Sequence, residues 1–331
     1  MADSVNRKIR WGVLGYARIA RMSVIPAIVR AENSELHALA SRDESKLAEA
    51  RPLYPHRDAH VGYDALLRNP KVDAVYIPLP NSQHREWTIR AAELGKHVLC
   101  EKPLGLNAAE CREMIAACAL HGVTLMEGFM YRYTHRTAQV RSILRSGVLG
   151  DIRFVNASFR YPMNNAASIK LQPALGGGAL YDVGCYPVNL VGLIADEIAG
   201  RPDSGSVQPA AVSAQCVRAG GVDVVLSALL RYESGLMAAV HCGFNSQKRI
   251  VAEIIGSHGT LEVPDTYFDN AGAMILTTGD ERQEIPVAAC ERYRLEIEDF
   301  ADAILQRRPP RFSLAESLRN AEVIDRIFAA A

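Results

Sequence analysis

Short apolar runs and amphipathic segments alternate over residues 8–129, and few folds accept that order. "KIRWGVLG" (8–15) is an apolar run that ends in glycine, and "IARMSVIPAIVRA" (19–31) has helical spacing. "ELHALAS" (35–41) reads as a strand and "DESKLAEAR" (43–51) as a helix. "VDAVYIPL" (72–79), "HVLC" (97–100) and "VTLMEGF" (123–129) read as buried strands, with helices over 82–96 and 107–122 between them. Strand–helix alternation predicts a doubly wound α/β domain, a parallel sheet with helices on both faces. Ligands of such sheets lie beyond the carboxyl ends of the strands.

The second half changes character. The runs 151–161, 210–219, 222–233, 235–244, 249–256 and 259–265 are strand-like and joined by turn residues such as "ESG" and "GSHG". They predict a large, mainly antiparallel open sheet in an α+β domain. A helix over 135–146 precedes it, and helices over 291–306 and 313–329 close the chain. The division falls near residue 128, giving domains 1–128 and 129–331; helix 135–146 packs with either half.

Composition excludes several classes. Lys plus Arg and Asp plus Glu both number 37, so nothing draws the chain to nucleic acid. No apolar run approaches the roughly 20 residues that span a bilayer. The start "MADSVNRKIRWG" lacks a leader-like apolar stretch. Seven scattered cysteines without a C-x-x-C pair suit reduced thiols in a cytoplasm and no metal site.

"GVLGYARIA" (12–20) follows the first strand and opens a helix. It matches the dinucleotide fingerprint with Gly15 for the turn, Ala17 where the backbone nears a pyrophosphate and Ala20 for close packing. Tyr16, Arg18 and Ile19 complete that loop. The second strand ends in Ser41 and Arg42, with Lys46 a turn later; a hydroxyl and two cations suit the 2′-phosphate of NADP. Asp43 could instead take the ribose hydroxyl of NAD, but is more simply the N-cap of the next helix.

These motifs resemble, over almost the whole chain, the glucose–fructose oxidoreductase, inositol dehydrogenase and rhizopine-catabolism (Gfo/Idh/MocA) family. The blocks are "GVLGYARIA", "PLPNSQHREWTIRAAELGKHVLCEKPLGLN" (78–107), "EGFMYRYTHR" (127–136), "GVLGDIRFV" (147–155) and "GGGALYDVGCYPVNL" (176–190). The resemblance implies an NADP-dependent oxidoreductase acting on a secondary hydroxyl or carbonyl of a sugar, polyol or cyclic diol. It implies that Lys102 binds the substrate oxygen and stabilises a developing alkoxide, with Glu101 near the nicotinamide ribose and a cis bond before Pro103. Asp182 and Tyr186, four apart on one helix face, become the substrate ligand and the general acid/base, Lys102 stabilising the phenolate. Leu79, Asn81 and His84 join the cofactor set; His84 reads equally as a helix-face residue. Tyr131, Arg132 and Lys170 join the substrate set; Arg132 reads equally as an ion-pair residue, and Lys170 stands where many relatives have arginine. Two other readings stay open: tightly held NAD serving hydrolysis or elimination by transient oxidation, and a non-catalytic nucleotide sensor or scaffold.

The second-half strands carry apolar residues on both faces, Leu226, Ala228 and Leu230 on one and Val225 and Leu229 on the other. A large exposed apolar face marks an interface, and relatives pair through this sheet. The expectation is a homodimer or a dimer of dimers through strands within 210–263, unless helices 291–306 and 313–329 cover that face.

Overall fold

The computed structural model describes residues 7–331. The stretch 1–6, in which the sequence shows no leader-like run, lies outside the described residues. Contacts divide the chain into two units, with boundaries at Gly105, Met130, Cys290 and Leu314.

The first unit runs through Gly105 and adds Ala109–Met130 and Glu291–Leu314. It holds β1 (Ile9–Leu14), α1 (Ile25–Arg30), β2 (Ser34–Ser41), α2 (Glu44–Ala50), β3 (Asp58–Val61) and α3 (Tyr63–Leu67). β4 (Ala74–Ile77), α4 (His84–Glu93), β5 (His97–Glu101), α5 (Ala108–Leu120) and β6 (Leu125–Gly128) follow. The sheet order is β3-β2-β1-β4-β5-β6 and every pairing is parallel, as the alternation predicts. β4 and β6 are buried at every residue, which is why they read as continuous apolar runs rather than alternating ones. β3 and α3 escape the sequence reading because four half-exposed residues and a five-residue helix have no legible period. Asp43 caps α2, accepting from Ser45 N at 3.0 Å. A single π turn, Ala20–Val24, separates the glycine loop from α1.

The second unit takes Tyr131–Cys290 with Leu106–Ala108 and Ala315–Ala331. α6 (His135–Ser146) has the bounds its spacing predicts, because Thr134 caps its start and Gly147, at φ +71°, ends it. β7 (Ile152–Arg160) and α7 (Cys185–Ile198) come next. The strands continue with β8 (Ala211–Ala219), β9 (Val222–Arg231), β10 (Met237–Gly243), β11 (Arg249–Gly256) and β12 (Gly259–Pro264). β13 (Gly272–Thr278) and β14 (Glu281–Val287) complete an eight-stranded sheet of order β14-β13-β12-β11-β7-β10-β9-β8. All its pairs are antiparallel except β7 with β10. β14 escapes the sequence reading because "ERQEIPV" is largely exposed and carries a proline, the composition of an edge strand.

The closing helices α8 (Arg292–Gln306) and α9 (Leu314–Ala330) fall to different units. α8 packs in the first: Phe300 meets Trp11 at 5.5 Å between ring centroids, and Asn33 Nδ2 donates to Asp302 at 2.7 Å. The sequence reads no apolar run near membrane-spanning length, whereas the structure joins Pro173–Ile198 into one helical stretch that is long and apolar enough. Its most apolar window is 89% buried inside the protein, the condition of a core helix.

Candidate active site

In the first unit the cofactor-type residues gather at the carboxyl ends of the strands. Gly15 follows β1 at φ +110°, and a Cβ there would lie 3.2 Å from Leu79 Cδ2. The positive φ demands glycine, and the tight contact adds to the demand. Tyr16 is buried, Ala17 and Ile19 are half-buried and Arg18 is exposed. At the end of β2, Ser41 Oγ accepts from Asp43 N at 3.1 Å. The Asp43 carboxylate also takes Ser45 Oγ at 2.6 Å, so its cap bonds hold it below the usual carboxylate range. That occupation favours the cap role over a ribose contact. Arg42 and Lys46 are exposed. The Arg42 guanidinium lies 6.0 Å from the ring centroid of Tyr63, which the sequence reading missed because α3 is so short. A tight glycine turn before a helix start, with two exposed cations after β2, fits a dinucleotide carrying a 2′-phosphate.

The Glu101–Lys102–Pro103 turn ends β5. The Lys102–Pro103 bond is cis. Glu101 accepts from the Tyr76 hydroxyl at 2.6 Å and, through its other oxygen, from Lys102 N at 3.3 Å. Glu127 of β6, 2% exposed, accepts from Leu104 N at 2.8 Å. His84 is fully buried, with Nδ1 2.8 Å from Pro103 O and Nε2 2.9 Å from Leu79 O. Burial lowers its pKa and the nearby Lys102 charge adds to this, so the ring is neutral and donates to one carbonyl at a time. His84 thus braces the turn and the Leu79 segment together. Lys102 is half-buried and Asn81 likewise. On the other side of Glu101, burial holds the Glu296 carboxyl of α8 far above its ordinary value, with the Glu101 charge adding to the effect.

In the second unit the glycine run folds back on the segment that carries Lys170. Gly178 N donates to Lys170 O at 2.9 Å and Gly177 N to Gln172 O at 3.0 Å. A Cβ on Gly177 would sit 2.7 Å from Lys170 O, so this run is a close-packed corner rather than a loose turn. A π turn, Leu180–Gly184, follows and leads into α7. Asp182 stands in the π turn and Tyr186 in the first turn of α7, an interruption of a helix that often marks function. Asp182 Oδ2 accepts from Tyr161 OH at 2.8 Å and pairs with Lys170 Nζ at 2.9 Å. Lys170 Nζ lies 3.1 Å from the same phenol oxygen. The structure therefore unites Lys170 and Asp182, and adds Tyr161, which sequence reasoning missed. The available signal was a tyrosine at the end of the alternating strand "SFRY".

Tyr186, 3% exposed, is held in an aromatic cage. Its ring centroid lies 5.9 Å from that of Tyr131, 5.4 Å from Phe159 and 5.3 Å from Tyr267. Burial keeps the Tyr131 and Tyr267 phenols protonated, well above their ordinary range. Tyr131 OH bonds Asn189 Oδ1 at 2.5 Å. Arg132 is also buried, pairing with Glu316 at 2.8 Å and Asp203 at 3.0 Å. Its charge is spent on that network.

A parallel sheet with a pyrophosphate-type turn, in a chain whose second unit presents a carboxylate, an ammonium and phenols, defines a dinucleotide-dependent oxidoreductase. Residues 9–129 match the oxidoreductase family with the NAD-binding Rossmann fold, and residues 137–262 match the GFO/IDH/MocA C-terminal domain. The chain belongs to the Gfo/Idh/MocA oxidoreductase family. It is 37% identical over 326 residues to D-xylose 1-dehydrogenase (NADP(+)) 2 of Haloferax volcanii, covering 97% of each chain. It is 31% identical over 260 residues to the trans-1,2-dihydrobenzene-1,2-diol dehydrogenase of Sus scrofa, covering 78% of this chain and 74% of that one. The solved structure of KijD10, a 3-ketoreductase from Actinomadura kijaniata in complex with NADP and TDP-benzene, superposes with a TM-score of 0.90 at 31% identity. That match covers 98% of both chains.

Proposed function

We propose that the protein is an NADP-dependent oxidoreductase that moves a hydride between nicotinamide and a secondary hydroxyl or carbonyl of a sugar, polyol or cyclic diol. The observation that carries this reading is the Asp182–Lys170–Tyr161 cluster one helical turn before Tyr186. It offers a carboxylate, an ammonium and a phenol to a polyhydroxylated substrate. The described residues of domain 1–128 hold the cofactor, and domain 129–331 holds the substrate. NADP, when bound, supplies or accepts the hydride. Gly15, Tyr16, Ala17, Arg18 and Ile19 receive the pyrophosphate, and Ser41, Arg42 and Lys46 the 2′-phosphate. Leu79, Asn81, His84 and Glu101 shape the nicotinamide side. Lys102 holds the substrate oxygen and stabilises its negative charge, and Tyr186 is the general acid/base. Tyr131 packs on Tyr186, and Arg132 supports the helix that carries it.

The test is a panel of aldoses, inositols, ketosugars and trans-diols, followed by NADPH absorbance in both directions. Turnover of a sugar or diol is expected. No turnover, with NAD released from the purified protein on denaturation, would instead favour transient oxidation. Arg42→Ala should weaken NADPH by at least about tenfold and NADH little, because only NADPH carries the 2′-phosphate. Equal losses in fluorescence titrations would remove Arg42 from cofactor choice.

A homodimer through the eight-stranded sheet completes the reading. Leu226, Ala228 and Leu230 of β9 are buried, whereas Leu229 is 53% exposed and Phe154 of β7 is 50% exposed. Ser227 and Arg231 share the open face with Leu229, so it is mixed rather than wholly apolar. Sedimentation at micromolar concentration should show twice the chain mass of 36.2 kDa. A monomer, or a dimer indifferent to Leu229→Asp and Met237→Asp, would exclude this surface. No disulfide joins the seven cysteines among the described residues, and the reducing cytoplasm belongs to the same proposal.

A further inference from the structure

Asp223 has no place in the chemistry above, yet it is 3% exposed and lies against the start of the helical stretch that carries it. Strict alternation along β9 would send Asp223 to the open face with Val225, Ser227 and Leu229. The register with β8 breaks this: Val217 pairs with Val225, but Arg218 pairs with Asp223, so Val224 is an extra residue. The bulge turns Asp223 to the face of Leu226, Ala228 and Leu230, a common use of bulges beside functional sites. There its Oδ2 accepts from Leu180 N at 2.7 Å. Gly178 makes room: a Cβ on it would lie 2.2 Å from Asp223 Oδ1, and its φ of +132° is one that L side chains rarely adopt. Bulge, glycine and carboxylate thus converge on one point, the first residue of the π turn that holds Asp182.

We propose that Asp223 is a positioning residue whose carboxylate anchors the start of the helix carrying Asp182 and Tyr186. The proposal rests on the roles given to those two residues. An ionised carboxylate accepts an amide N–H more strongly than a neutral acid does, so the anchor is strongest when Asp223 is charged. Burial pushes this carboxyl up to about 6, against the pull of the Leu180 amide. The ionisable neighbours are Arg218 on β8, which favours the charge, and the Cys242 thiol on β10, which also feels Asp182 and Cys185. Burial raises Cys242 well above its ordinary value, so it stays neutral in this range. The folded carboxyl titrates above its unfolded value, so its contribution to stability is present at low pH and is lost as pH rises through about 6. Activity should move the other way, which a merely structural carboxyl would not produce.

The experiment is a pH profile of kcat and kcat/KM for wild type, Asp223→Asn and Tyr186→Phe, with NADPH binding followed by fluorescence. Wild type should lose turnover as pH falls through about 6. Asp223→Asn should lower kcat at neutral pH by about tenfold or more, abolish that limb and keep NADPH affinity within about threefold. Wild-type turnover with an unchanged acid limb in Asp223→Asn would overturn the proposal. If Asp223→Asn does not fold, wild type decides: the Asp223 carboxyl, followed by carbon NMR in aspartate-labelled protein, must titrate at the midpoint of the limb, and a mismatch overturns it. Full turnover by Tyr186→Phe would end the proton-carrier reading, whereas a limb lost in Asp223→Asn would still support anchoring through Asp182.

Discussion

Lys102→Met should lower turnover by about a hundredfold or more while NADPH affinity stays nearly unchanged. In the proposed reading the ammonium acts where negative charge grows on the substrate oxygen, so its loss falls mainly on the transition state. The turn around it should survive, because bonds of its neighbours also hold it. Glu127 takes Leu104 N, His84 meets Pro103 O, and Glu101 holds Tyr76. Methionine keeps the length of the stem and removes the ammonium, its charge and its N–H donors together. Tyr186→Phe should behave likewise, since the cage of Tyr131, Phe159 and Tyr267 packs a phenylalanine ring as well. Single-turnover hydride transfer with either variant is the measurement. Near wild-type rates in one of them would remove that residue from the chemistry.

Arg132→Met should cost about 3–5 kcal/mol, because it strips the cation from a buried network. Glu316 is fully buried, and removing the guanidinium leaves its carboxylate beside Asp203 and Asn189 with less compensation. The melting temperature should fall on the order of 10 °C. This outcome also separates the two sequence readings of Arg132. A substrate ligand would raise KM and leave the melt in place, whereas a residue of the buried network lowers the melt first. An unchanged melting temperature with a large rise in KM would return Arg132 to the substrate.

How much could be read in advance differs by element. α6 was legible to the residue because both ends carry local signals, Thr134 and Gly147. The cap of α2 was legible for the same reason. β14 was not, since an edge strand needs no apolar pattern, nor was β13 next to it, most of whose residues are only half-buried. The residues of the candidate site in the second unit were picked out one at a time, as Lys170, Asp182 and Tyr186. Their arrangement was not: the π turn before α7 and the meeting of Lys170, Asp182 and Tyr161 arise from packing.

The sequence by itself determined the parallel sheet, the glycine turn at its first strand and the Glu101–Lys102–Pro103 triplet at the end of its fifth. Each is written in local spacing: buried strands are apolar throughout, and a positive-φ turn requires glycine. Tertiary structure alone decided that α8 joins the first unit, which the chain leaves after Met130 and re-enters only at Glu291 — a separation no local pattern encodes. It also decided that Asp223 faces inward. One extra residue in a strand register reverses every side chain beyond it, and this bulge shows only in the pairing of β9 with β8, not in the alternation of β9 itself.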